Sequence, residues 1–103
     1  MAFEEILSTV KKFIDTVRQQ GISIEAAYLF GSWADGRADE WSDIDLAIVS
    51  PAFDGVTFYD RRKLDKAVVT VDVGIEPHPY RPEDFTEADW FVREIIRTGI
   101  RIV

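Results

Sequence analysis

Two aspartates, Asp43 and Asp45, separated by one residue, are the part of this chain most suited to chemistry. They open an apolar run, Leu46 to Val49, that reads as a strand. Side chains in a strand alternate faces, so the two carboxylates project together, about 7 Å apart along the chain. Ile44, Leu46 and Ile48 then point the other way, into a core. Two carboxylates at the mouth of a buried strand repel each other and are costly to desolvate, and a divalent cation resolves that cost. Hard oxygen donors select Mg²⁺ or Mn²⁺, and Mg²⁺ typically takes one or two carboxylates plus substrate phosphates.

A complementary feature, Gly31-Ser32, is separated from Asp43 by ten intervening residues and stands at the end of another apolar run, Ala26 to Phe30. Glycine lets a backbone approach a ligand closely. A serine just after a strand can start a short helix, whose first N–H groups are free to meet an anion. A phosphate cradle facing a carboxylate-held metal is the layout of phosphoryl or nucleotidyl transfer.

A third acid is expected from Val69 to Glu76, which alternates as a strand. Val69, Val71, Val73 and Ile75 share one face; Thr70, Asp72, Gly74 and Glu76 share the other. Asp72 falls mid-strand among apolar neighbours, where an unpartnered carboxylate is expensive, and sharing the metal of Asp43 and Asp45 explains it. Its role there is base or second-metal ligand for an attacking hydroxyl. Glu76 is the rival on the same face, at the strand end; a solvated edge position is the plain alternative for Asp72.

The remaining elements position these groups. Phe3, Ile6, Leu7, Val10, Phe13, Ile14 and Val17 recur at helical spacing over Phe3 to Gln20, and Gly21 stops that helix. Trp33 to Ser42 reads as a helical turn and a loop, with both tryptophans packed on the domain rather than on a base. Phe58 to Val68 reads as one helix with Phe58, Leu64, Ala67 and Val68 inward. It carries the basic cluster Arg61, Arg62 and Lys63, a charged outer face rather than a phosphate or partner contact. His78, in Pro77-His78-Pro79, reads as a loop residue. A last helix runs from a Thr86 cap to Thr98 with Trp90, Phe91, Ile95 and Ile96 on its apolar face, and Ile100 to Val103 follows as a short strand or tail.

Length and composition set the bounds. A chain of 103 residues with 47% hydrophobic residues indicates one folded domain, 1–103, of α+β type: a small mixed sheet flanked by helices. There is no cysteine, which excludes disulfides and thiolate zinc sites. No apolar run reaches the length of a membrane span, and the acidic start lacks a signal-peptide pattern, so the cytoplasm is the default location. A net charge of −7 argues against a nucleic-acid footprint, keeps the chain soluble and suits a basic partner. It also means that a polyanion such as ATP needs a metal to be held.

Gly31-Ser32, ten residues, then Asp43-Ile44-Asp45 resembles the signature of the DNA polymerase β-like nucleotidyltransferase superfamily. Phe30-Gly-Ser-Trp-Ala-Asp-Gly36 and Ser42-Asp-Ile-Asp-Leu46 are similar to its minimal nucleotidyltransferase branch. The resemblance runs from Ala26 to the Gly99-Ile-Arg-Ile ending. It implies the polymerase β-like fold, a two-metal site of Mg²⁺ or Mn²⁺, ATP as substrate and AMP transfer to a hydroxyl. It also implies a third acid on the strand beside Asp-x-Asp, a place that Asp72 matches in context. Members of the branch are often encoded beside a small helical HEPN protein, as antitoxin and toxin. The implied acceptor is then a tyrosine of that toxin, and so short a chain fits an acceptor brought by another protein, in a homo- or hetero-oligomer. Two alternatives stand beside this: a non-catalytic antitoxin acting by complex formation, and nucleotidylation of a small molecule such as an aminoglycoside. Where relatives carry Ala-Arg-Gly, this chain has Ala34-Asp35-Gly36-Arg37. Arg37 either meets the nucleotide phosphates from two residues on or is a solvated loop arginine.

Overall fold

The computed structural model describes residues 2–103. In chain order its elements are α1 (Phe3–Gln19), β1 (Ala26–Phe30), α2 (Ser32–Asp35), β2 (Ile44–Val49), α3 (Thr57–Arg62), α4 (Asp65–Val71), β3 (Ile75–Tyr80), α5 (Trp90–Thr98) and β4 (Ile100–Arg101). The amphipathic stripe of α1 buries Ile6, Val10, Phe13, Ile14 and Val17, and Phe3 stays partly exposed at its start. Its C-terminal turn closes through Gly21, whose N–H donates to the Arg18 carbonyl.

The strands form one mixed sheet in the order β3-β2-β1-β4. The pairs β1/β2 and β1/β4 are antiparallel, and β2/β3 is parallel. Strand alternation divides the core. Ala27, Leu29, Ile44, Leu46, Ile48 and Ile75 face α1 and α4, together with Leu64 and Ala67. Tyr28, Phe30 and Ala47 face the other way and meet Ile95 of α5. Phe13, Leu29 and Leu46 are fully buried, and each such side chain stabilises the fold by roughly 1.5–3 kcal/mol. The sheet with helices on both faces agrees with the expected α+β architecture. No described helix is long and apolar enough to cross a membrane.

The region after β2 departs from expectation. Phe58 to Val68 is two helices rather than one, and Phe58 is mostly exposed. The third strand is Ile75–Tyr80, not Val69–Glu76, because Asp65–Val71 is helical. Val69-x-Val71-x-Val73 alternates as a strand would, but Leu64, Ala67, Val68 and Val71 also sit at helical spacing. That second pattern wins because it packs against α1, a tertiary contact that outweighs local propensity. Pro77 and Pro79 fit within β3 because it is an edge strand, where a missing N–H is tolerated. The last helix starts later than Thr86: Asp89 caps it, accepting from the N–H groups of Phe91 at 2.8 Å and Val92 at 3.2 Å. The Ile100–Arg101 segment does form a strand, on β1.

One buried acid holds the loop after β2. Asp60, 2% exposed, accepts hydrogen bonds from the N–H groups of Asp54 (2.8 Å) and Gly55 (2.9 Å), and Lys63 lies 3.3 Å away. Hydrogen bonds that Lys63 donates to Asp54 and Asp60 hold its ammonium above its usual range. Removing the carboxylate strands two backbone donors, while Lys63 keeps Asp54 and the Ala52 carbonyl. Asp60→Ala is therefore expected to cost about 2–4 kcal/mol, a fall in Tm of roughly 10–20 °C in a thermal melt. A fall of less than ~3 °C would show that the loop is held by other groups.

Candidate active site at the ends of β1, β2 and β3

The β1/β2 register sets Phe30 opposite Asp45, so Gly31, the next residue, turns directly beside the Asp45 carboxylate. Gly31 has φ +74°, a conformation that side-chain-bearing residues rarely adopt. A Cβ built on it would lie 2.6 Å from Asp45 Oδ2. Glycine is thus required twice over, by the turn and by the carboxylate packed against it. Ser32 opens the four-residue α2 immediately afterwards, as the strand–Gly-Ser–helix pattern predicts. Asp43 lies one residue before β2 and is exposed, while Asp45 is half-buried.

The parallel β2/β3 register brings in two further groups. Asp45 is opposite Glu76, and Ala47 is opposite His78, so alternation puts Asp45, Glu76 and His78 on one face. Among the described residues, one ligand atom from each of these three lies within 4.8 Å of the others. His78 Nε2 is 3.3 Å from Asp45 Oδ1. The imidazole ring meets Phe30 edge-on, with centroids 4.9 Å apart. Arg61 of α3 reaches the rim, 3.9 Å from a Glu76 oxygen. A cleft of about 230 Å³ adjoins, lined by Thr57, Arg61, His78 and Tyr80 with Pro77 and Pro79.

Asp72, expected to join Asp43 and Asp45, does not reach them. It ends α4 and accepts a hydrogen bond from the Gly74 N–H at 2.7 Å, shaping the turn into β3. It lines a cavity of about 220 Å³ with Ile6, Trp33 and Ile44, on the α1 side of the sheet. Ile44 and Asp45 alternate faces, so that cavity is across the sheet from the Asp45 carboxylate. The physical reason is the helix: once α4 continues to Val71, Asp72 is a connector and Glu76 takes the strand position beside Asp45. His78 is likewise corrected, from loop residue to a strand residue facing Asp45. The signal for both was the alternation Glu76-x-His78-x-Tyr80, which the two prolines disguise as a loop.

Arg37 forms a two-pronged ion pair with Asp35, at 2.9 Å and 2.6 Å, on the exposed end of α2. Its hydrogen bonds hold the Asp35 carboxyl below the usual carboxylate range, and Asp35 in turn raises Arg37. Trp33 packs against the core, with its indole N–H 3.4 Å from the Ser42 carbonyl. Trp41 is 85% exposed, so only one of the two tryptophans packs on the domain as expected.

The donor set fits a divalent cation. Two carboxylates supply hard oxygens and one imidazole a nitrogen, and donors sharing an ion with bonds of ~2.1 Å lie roughly 3.0–3.4 Å apart. The Asp45–His78 separation of 3.3 Å, a direct hydrogen-bond contact in this structure, also falls in that range, and all three ligand atoms lie within 4.8 Å of one another. Asp43, exposed and one residue before β2, is not among the three residues whose ligand atoms come together.

The profile of the family described as "Nucleotidyltransferase domain" matches residues 10–101. No curated protein matches the chain significantly. Among solved structures, a candidate nucleotidyltransferase from Sulfolobus solfataricus is similar with a TM-score of 0.67 and 18% identity, over 96% of this chain and 80% of that one. A toxin–antitoxin structure solved with AMP-PNP is similar with a TM-score of 0.60 and 21% identity, over 88% of this chain and 70% of that one. The strand–Gly-Ser–helix turn, the Asp-x-Asp strand and the matching fold therefore have one account: this chain belongs to the nucleotidyltransferase domain family.

Proposed function

We propose that this chain transfers AMP from ATP to a hydroxyl acceptor on a protein partner, a tyrosine of a HEPN-type toxin, and so acts as an antitoxin. The observation that carries this reading is the convergence of Asp45, Glu76 and His78 next to the Gly31-Ser32 turn. Asp43, Asp45 and Glu76 would hold Mg²⁺ or Mn²⁺. When bound, the cation supplies charge neutralisation that an acidic chain cannot otherwise offer a triphosphate. Backbone N–H groups of the Gly31-Ser32 turn seat the leaving phosphates. Glu76 orients the acceptor hydroxyl and takes its proton. The acceptor oxygen then bonds to the α-phosphorus as the bond to the bridging oxygen breaks, and pyrophosphate leaves.

A macromolecular acceptor is supported by the surface beside the site. Trp90 is 65% exposed and Phe91 43% exposed at the start of α5. Phe91 packs edge-on against Phe30, 5.7 Å between centroids, and Phe30 in turn touches His78. An apolar face thus abuts the carboxylates, where a docked protein would present its hydroxyl. The toxin–antitoxin likeness supports the same partner class.

The test is to incubate the purified chain with ATP, Mg²⁺ or Mn²⁺ and a small helical HEPN-type protein, then weigh that protein intact. A gain of AMP units that is lost with Asp45→Asn is the expected result. Tight association with no gain in mass would overturn the catalytic reading in favour of a binding antitoxin. A modified aminoglycoside with an unmodified protein would overturn the acceptor.

Arg37 meets the triphosphate in this reading, and Asp35 competes for it. Asp35→Ala is expected to tighten AMP-PNP binding roughly two- to fivefold, as an exposed pair is dissolved. Isothermal titration reads this directly. An unchanged affinity would assign Arg37 to the solvated loop.

A further inference from the structure

The third donor of the cluster is a nitrogen, and that has consequences for which ion the site takes. Mg²⁺ binds almost wholly through oxygen and water and keeps a tight octahedral shell. Imidazole favours first-row transition ions, whose affinity for nitrogen rises along the series from Mn²⁺. His78 is placed to contribute. Its Nε2 contacts Asp45 Oδ1 at 3.3 Å, and a ligand atom of Glu76 lies within 4.8 Å of both, so one ion could replace the direct contact and be shared by all three. The β2/β3 register fixes its strand position, Phe30 backs its ring, and a proline on either side stiffens the backbone that carries it.

We propose that His78 is a nitrogen ligand of the site's cation, so that the chain takes a first-row transition-metal ion such as Mn²⁺ in preference to Mg²⁺. The inference rests on the cation site proposed above, and goes further by assigning a ligand and a class of ion.

A property of the sequence makes the test direct: the chain contains one histidine. Tag-free protein with Mn²⁺ is examined by electron spin echo envelope modulation, which detects nitrogen bonded to the ion. The expected result is a ¹⁴N modulation that changes to the ¹⁵N pattern when the protein is grown with ¹⁵N-histidine. No substitution is needed for this assignment, so a misfolded variant cannot obscure it. In parallel, competition between Mn²⁺ and Mg²⁺ is measured by calorimetry. Wild type is expected to favour Mn²⁺ by at least about tenfold, and His78→Gln to remove most of that margin. Mn²⁺ bound with oxygen ligands only, and no histidine-dependent modulation, overturns the proposal and leaves the cation site standing. No binding of either ion, with or without AMP-PNP, overturns both.

Discussion

Glu76→Gln is expected to lower the rate of the proposed AMP transfer by about 10²–10³-fold, whereas Asp72→Asn leaves it within about twofold. Gln keeps the size and polarity of Glu76 but removes the charge that binds a cation and the basicity that accepts a proton. Metal-based stabilisation is worth several kcal/mol, and each 1.36 kcal/mol is tenfold in rate. Asp72 faces a different task. Its carboxylate accepts the Gly74 N–H at 2.7 Å, and the amide oxygen of Asn can accept the same bond. Single-turnover transfer of labelled AMP, beside thermal melts of both variants, separates the two. A large loss in Asp72→Asn with an intact melt, and little loss in Glu76→Gln, would return the third acid to the position that strand alternation first suggested.

Gly31→Ala is expected to lower transfer by about 100-fold or more while costing only ~1–2 kcal/mol of stability. The added methyl would sit 2.6 Å from Asp45 Oδ2, closer than such atoms can approach. That oxygen is the far end of a rotatable side chain, so the carboxylate swings aside rather than the sheet breaking. The stability cost comes mostly from holding alanine at φ +74°. The catalytic cost comes from moving a carboxylate that must be placed to within a fraction of an ångström; a 1 Å displacement near reacting groups can cost ~10²-fold. A melt lowered by roughly 4–15 °C with transfer nearly abolished is the expected pair of readings. Full activity with the lowered melt would mean that Asp45 tolerates another orientation.

The first half of the site was legible because two independent local patterns agree there. An apolar run, a glycine-serine turn and a second apolar run opened by aspartates each constrain the backbone without help from distant contacts. The result is the β1–α2–β2 unit with Asp45 against Gly31. The second half was not legible, because residues 64–76 carry two overlapping periodicities. Val69, Val71 and Val73 fit a strand; Leu64, Ala67, Val68 and Val71 fit a helix. The choice is made by α1, which is far away in sequence and offers a face for the helical stripe. Once α4 forms, the strand begins later and its inward positions move from Asp72 to Glu76. The same shift explains His78. Two prolines in three residues suggest a loop, and only the edge location of β3 makes them compatible with pairing.

The position of those prolines also bears on how other chains can attach. A strand at the rim of a sheet ordinarily offers a row of free amide hydrogens to any extended segment that drifts by. Pro77 and Pro79 delete alternate hydrogens from the β3 rim. The β3 border is therefore a poor template for a foreign strand, which disfavours fibrillar stacking and strand addition there. A partner that approaches this border must grip it through side chains, and its selectivity there is set by them rather than by generic backbone pairing.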